Sequence, residues 1–225
     1  GVVTRELQSL VHTDAKMSPQ AAKVHGITRE MLSDAPGFAD LVDDIREVLD
    51  GAVVVCHNVP FDVGFLHREM DLAGAVLPPP VTVDTLTMAR RLFAFRKNNL
   101  GSVCKALEVT LDGAHRALAD ARATFAVYHR MLEILDPSGT VTIAELQELL
   151  GALAPNSPLR LRQQKLLREA FRAQRTVFID YQSTSSPVDG LTRREIGVWL
   201  LKLPYIQAWC YLREGERIFR LDRIR

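Results

Sequence analysis

Two proline-bearing breaks partition this chain. Asp-Pro-Ser-Gly-Thr occupies 136–140, and Ala-Pro-Asn-Ser-Pro occupies 154–158. Proline fixes φ and lacks an N–H, while Gly, Ser and Asn favour turns, so neither stretch belongs inside a regular element. Between the breaks, Thr142 and Glu145 stand at capping-box spacing ahead of an apolar run. That spacing predicts a short helix over 142–153. The expected organisation is therefore one unit over 1–135, a linker with a short helix over 136–158, and a second unit over 159–225.

Charge follows the same division. Residues 1–158 carry 14 Lys/Arg against 20 Asp/Glu, and residues 159–225 carry 14 against 7. A net charge of +1 thus hides an acidic block followed by a basic one. The basic block can attract a polyanion, or it can be a merely solvated surface. The chain is 47% hydrophobic and 24% charged, which suits a globular protein with a buried core. No apolar run reaches 18 residues, so no membrane span and no membrane partner are expected. Cys56, Cys104 and Cys210 lack the spacing of a metal motif. An odd, scattered set of cysteines suits a reducing compartment, so a cytoplasmic location is expected. The chain opens on Gly1, as a fragment or processed product would.

The two sides of the linker differ in pattern. Before it, 2–11 reads as a strand, 39–49 as a helix, 52–56 as a buried β-branched strand and 63–74 as a helix stopping at Gly74. Residues 81–93 read as a short strand entering a helix, and 100–109 and 115–135 as two further helices. Alternating strands and helices predict an α/β domain with parallel pairing. After the linker, 159–174 reads as a helix with Leu159, Leu166, Leu167, Ala170 and Phe171 on one face and arginines on the other. Strands are expected within 176–181, 194–201, 204–213 and 217–224, with Trp199 and Trp209 in the core.

Asp62 follows the strand 52–56, and Asp120 stands on the helix that begins near His115. An acid at a strand end and an acid on a helix can converge. Paired carboxylates suit Mg²⁺ or Mn²⁺, hard cations that take oxygen ligands. A histidine titrating near neutral pH can serve as a general base beside them. Each residue also has a plainer reading: Asp62 as a helix cap, Asp120 as a surface acid, His115 as a hydrogen-bonded bystander.

Four segments in order, Val-His-Gly-Ile-Thr-Arg-Glu-Met-Leu at 24–32, His-Asn-Val-Pro-Phe-Asp-Val-Gly-Phe-Leu at 57–66, 83–93 and 115–132, together resemble the DEDDh family of 3′–5′ exonucleases. The resemblance covers about 1–133. It implies a ribonuclease-H-like fold, two Mg²⁺ or Mn²⁺ ions, Asp62 and Asp120 as metal ligands, and His115 as general base. It also implies His25, Asn58 and Phe61 around the terminal nucleotide. The family's first motif, Asp-x-Glu on a central strand, occurs nowhere in these 225 residues. The expectation is a domain truncated at its start or, alternatively, a degenerate one. Without a central strand, buried backbone groups would lack partners.

The second unit resembles the WYL domain, a small SH3-like β-barrel. The resemblance is carried by 177–183, 190–196, Ala-Trp-Cys-Tyr-Leu-Arg at 208–213 and Phe-Arg-Leu-Asp-Arg-Ile at 219–224. Pro204, Tyr205 and Ile206 stand where that family has Trp-Tyr-Leu. The resemblance implies ligand or nucleic-acid binding through Tyr181, Arg194, Arg213, Arg220 and Arg223. Arg offers phosphate a fork of donors, and Tyr offers a base a stacking face.

The expected whole is a metal-dependent 3′–5′ exonuclease acting on DNA or RNA and releasing nucleoside monophosphates, joined to a nucleotide- or nucleic-acid-binding module. Its expected partners are single-stranded nucleic acid, with DNA ahead of RNA, a nucleotide-like ligand, and replication or repair proteins. The alternative is a non-catalytic binding regulator on an exonuclease-like scaffold.

Overall fold

A parallel β-α-β unit organises the first half of the chain. In the computed structural model, which describes residues 2–111, 116–183 and 190–225, strand β1 (Val53–Cys56) pairs in parallel with β2 (Val81–Asp84), and Cys56 stands opposite Asp84. Three helices precede β1: α1 (Pro19–His25), α2 (Arg29–Ser33) and α3 (Val42–Leu49). Helix α4 (Val59–Leu72) crosses between the strands, carries Pro60 in its first turn, and ends ahead of Gly74 at φ +67°. Helices α5 (Thr85–Leu92), α6 (Leu100–Ala106) and α7 (Ala117–Leu135) follow. Val42, Met70, Ala75 and Leu77 form a buried cluster under α3 and α4, with Phe38, Leu49 and Leu66 packed against it.

The expected strand over 2–11 does not form. A strand is stable only with a partner ladder, and this segment pairs with neither β1 nor β2. It is held instead by side chains: Glu6 accepts two bonds from Arg122, at 2.6 and 2.7 Å, and Arg5 pairs with Glu47. Just beyond it, the backbone N–H of His12 donates to Pro36 O at 2.9 Å.

Helix α8 (Ile143–Ala152) has the expected capping box: Thr142 Oγ1 accepts from Glu145 N–H, and the Glu145 carboxylate accepts from Thr142 N–H. Helix α9 (Pro158–Arg172) leads into β3 (Thr176–Gln182), β4 (Leu191–Lys202), β5 (Tyr205–Cys210) and β6 (Gly215–Arg220). The four strands form an antiparallel meander in chain order. A 3-10 turn (Leu221–Arg223) then returns the chain toward β3, where Ile224 bridges Tyr181 and Arg225 N–H donates to Asp180 O. The architecture described is this four-stranded sheet with one closing bridge. Leu167 of α9 packs with Ile179, Ile196, Ile206 and Phe219 in the core.

Two expectations fail here. The expected apolar face of α9 is buried only in part: Leu167 is 4% exposed and Ala170 5%, whereas Leu159, Leu166 and Phe171 are exposed, and Arg160, 2% exposed, joins the buried side. Arg160 goes inward because carbonyl oxygens await it. It donates to Leu221 O, Ile224 O and Asp222 O, and to Gln163 Oε1. Trp199 and Trp209 are not core either, each being 40% exposed. Trp209 follows Ala208 and precedes Cys210, both fully buried, so strand alternation turns the indole to the outer face.

By contacts, the chain divides into residues 1–86 with 99–133, and residues 87–98 with 134–225. Among the described residues no helix is long and apolar enough to cross a membrane.

Candidate functional site

The C-terminal ends of β1 and β2 carry the first site. Cys56 and Asp84 are register partners, so the chain leaving β1 passes beside the Asp84 carboxylate. Asp84 Oδ1 accepts from Asn58 N–H at 3.0 Å and from Leu86 N–H at 2.9 Å. Thr85 Oγ1 donates to Cys56 O and lies 2.9 Å from His57 Nδ1. These bonds hold Asn58 at φ 94°, ψ 62°, a left-handed conformation that side-chain-bearing residues rarely adopt. The left-handed residue turns the chain sharply from β1 into α4. It thereby places Phe61 and Asp62 in the first turn of that helix, at the edge of a groove.

That groove has a volume of about 830 Å³. Phe61 and Asp62 line it from α4, Cys56 and His57 from the end of β1, and Asp120 and Thr124 from α7. Phe61 is 61% exposed and its ring lies 4.9 Å from that of Phe65, so two apolar rings face solvent at the groove's edge. An exposed aromatic pair is a poor core and a good stacking surface.

The electrostatics are acidic. The Asp62 carboxyl is held above its ordinary pKa, first by loss of solvent around it and further by the charge of Asp84. A bond to its own backbone N–H and attraction to His57 act the other way. The Cys56 thiol is pushed up to about 11 by burial and then by Asp62 and Asp84. Burial also raises the Cys104 thiol, and the Asp120 charge adds to it.

Of the residues singled out in the sequence, Asp62, Asp120 and Phe61 share this groove. Asn58 contributes through its backbone turn. His25 is half-buried, its Nδ1 accepting from Ile27 N–H and its carbonyl accepting from Arg116 at 3.2 Å. It therefore ties α1 to the entry of α7 and does not line the groove. His115 lies outside the described residues. Asp84, His57 and Thr85 were not singled out. The strand pairing reveals them, because it sets Asp84 and Thr85 beside residues 56–58, far away in sequence.

A divalent-ion site requires several converging ligands. Among the described residues no group of three or more His, Cys, Asp or Glu is arranged to hold a metal ion. Asp62 and Asp120 with their described neighbours do not by themselves fit such a site.

In the second unit, Tyr181 is 6% exposed, and its hydroxyl accepts from Arg220 N–H at 3.3 Å. The Arg194 guanidinium sits 5.3 Å from the Tyr181 ring and 5.9 Å from Phe219, with Nε donating to Thr192. Arg220 grips Asp222 with two nitrogens, at 3.1 and 2.8 Å. Arg223 is half-buried beside it, whereas Arg213 is exposed.

Residues 2–128 match the exonuclease family. The chain belongs to that family. Residues 164–225 match the WYL domain. The DNA polymerase III subunit epsilon of Haemophilus influenzae is 37% identical over 126 residues, which are 54% of this chain and 49% of that one. A Mycobacterium tuberculosis protein named as a candidate bifunctional exonuclease/endonuclease is 30% identical over 182 residues, 80% of this chain and 28% of its own. The chain spans about half the length of the curated epsilon subunits it matches. The solved structure of exonuclease X in complex with 5′-overhanging duplex DNA covers 63% of this chain and 78% of that chain, at 24% identity and a TM-score of 0.47. The exonuclease-family segment contains Asp62, Asp84 and Asp120. The WYL segment contains Tyr181, Arg194, Arg213, Arg220 and Arg223.

Proposed function

We propose that the intact protein hydrolyses nucleic acid from its 3′ end in a divalent-metal-dependent reaction, releasing nucleoside monophosphates, and that its WYL domain binds nucleic acid or a nucleotide. One observation carries this reading: Asp62 and Asp120, from the first turns of two different helices, open on one groove edged by the exposed Phe61. Phe61 offers the terminal base a stacking surface, and the left-handed Asn58 holds that ring and Asp62 at the edge. Asp62 and Asp120 would contribute carboxylates to a Mg²⁺ or Mn²⁺ site that needs further ligands, since no Asp-x-Glu stands in these 225 residues. His115 is the proposed base for the attacking water. Tyr181, Arg194, Arg213, Arg220 and Arg223 are the proposed ligand residues of an SH3-like WYL module. Single-stranded DNA is the favoured substrate, and replication or repair proteins are the favoured partners, in a cytoplasmic setting.

A second reading rests on the absence of a three-ligand cluster among the described residues. It is a nucleic-acid-binding regulator that hydrolyses nothing. A time course on a 5′-labelled single-stranded oligonucleotide in Mn²⁺ separates the two. Shortening from the 3′ end that stops in EDTA and in Asp62→Asn and Asp120→Asn supports the exonuclease. Binding without shortening by the full-length protein supports the regulator. Shortening that survives Asp120→Asn overturns the assignment of the site.

A further inference from the structure

A second cavity, of about 610 Å³, lies wholly within residues 87–98 and 134–225. Six arginines line it: Arg90, Arg91, Arg96, Arg160, Arg220 and Arg223. Among the described residues its only acid is Asp222, already gripped by Arg220 through both carboxylate oxygens. The other five have no carboxylate partner among the described residues. Arg91 is fixed by donating to Leu150 O at 2.6 Å, and Arg160 by the carbonyls of the closing 3-10 turn. Among the described residues the side chains of Arg90, Arg96 and Arg223 donate no hydrogen bond and form no ion pair, so their guanidinium donors are open to a ligand.

The walls intensify this charge. Phe93, Ala94, Phe95 and Leu221 line the cavity and are each at most 7% exposed. A concave surface of one sign over low-dielectric walls focuses its field on the enclosed volume. Like charges gathered in one concavity repel one another, and an anion among them relieves that repulsion. A guanidinium cluster suits phosphate, whose oxygens accept its paired donors, and the volume falls in the range of small-ligand sites.

We infer that this cavity binds a phosphate-bearing ligand of nucleotide size, through Arg90, Arg96 and Arg223 against a wall fixed by Arg91 and Arg160. The inference deepens the ligand-binding reading of the WYL domain, sharing Arg220 and Arg223 with it. It relocates the ligand, however, to a cavity that Tyr181 and Arg194 do not line and that needs arginines from 90–96, outside the WYL segment.

Titration calorimetry of the full chain in EDTA, which suppresses any metal-dependent site, provides the test. The probes are inorganic pyrophosphate, a nucleoside triphosphate and a short single-stranded oligonucleotide. The double variant Arg90→Gln/Arg96→Gln should lose about tenfold or more in affinity. Arg162→Gln/Arg168→Gln removes the same charge from exposed positions on α9 outside the cavity and should lose little. Both double variants change solvent-facing arginines, and circular dichroism checks that they fold. Binding of the triphosphate alone identifies a free nucleotide. An oligonucleotide that competes with it identifies a nucleic-acid phosphate at the same site. Equal losses in the two double variants reduce the effect to general attraction and overturn the site. Loss in Arg194→Gln with none in Arg90→Gln/Arg96→Gln overturns it too, but leaves the ligand-binding reading of the WYL domain intact. Absence of binding by all three probes overturns the inference outright.

Discussion

The backbone N–H of Asn58 donates to the carboxylate of Asp84, 26 residues later, at 3.0 Å. The same oxygen accepts from Leu86 N–H, so one side chain fixes the turn out of β1 and the start of α5. Asp84→Ala removes the acceptor of both bonds. Each bond to a charged group contributes roughly 1.5–3 kcal/mol. Because Asn58 is exposed and water can replace part of the loss, a destabilisation of about 2 kcal/mol is expected by urea denaturation. Asp84→Asn, which keeps an oxygen acceptor, should lose less. Unchanged stability in Asp84→Ala would mean that the turn is held by other contacts.

Asp62 is expected to cost the fold stability at neutral pH. Its folded pKa is raised, so the native state holds the proton more firmly than the unfolded chain does. Below the ordinary value of 3.8 both states are protonated and the cost is absent. The cost grows as pH rises from there through the raised pKa, and then stays. Asp62→Asn should therefore melt higher than the parent at pH 7, by on the order of 1 °C, and equally near pH 3. A lower melting temperature at pH 7 would contradict the sign. The same variant removes a negative neighbour of Cys56 and should speed its alkylation at pH 9, read by mass spectrometry, though burial keeps that thiol above its usual range.

Phe61→Ala separates packing from recognition. The ring is 61% exposed, so its loss should change stability by less than about 0.5 kcal/mol. If a base stacks there, affinity for a single-stranded oligonucleotide falls by about 1–3 kcal/mol, read by fluorescence anisotropy in EDTA. An unchanged affinity would remove Phe61 from the site.

Arg160→Met should be among the most damaging changes in the second unit. It strands three carbonyl oxygens at the closing turn, each costing roughly 1–3 kcal/mol if buried and unpaired. A loss of about 3 kcal/mol or more is expected in urea denaturation. Arg160→Lys should rescue little, since one ammonium cannot reproduce the planar fork that reaches Leu221, Asp222 and Ile224 together. Full rescue by Lys would show that charge alone matters.

What the sequence makes legible follows from how local each signal is. The β-branched run at 52–56 and the capping box at Thr142 and Glu145 depend on neighbours and were readable. So was the convergence of Asp62 and Asp120, which line one groove. Asp84 was not, because its role depends on the register that sets it against Cys56. Arg160 was misread because helical periodicity counts apolar residues, and nothing local announces the carbonyls of residues 221–224. The tryptophans were misread by residue type, when alternation along β5 turns Trp209 outward between buried Ala208 and Cys210. The segment 2–11 has strand composition but no ladder to join, and composition alone cannot supply one.

The outward tryptophans give the molecule a built-in optical asymmetry. Both indoles belong to the second unit, and the chain has no other. Emission excited at the indole band therefore reports on the WYL domain, while the exonuclease-family half is dark in that channel. Each indole already meets water in the native state, so unfolding should red-shift its spectrum only modestly. An aromatic or acyl quencher brought to the outer face of the sheet should dim it strongly. Melting of the two halves can thus be told apart in one unlabelled sample, by emission for the one and far-ultraviolet helicity largely for the other.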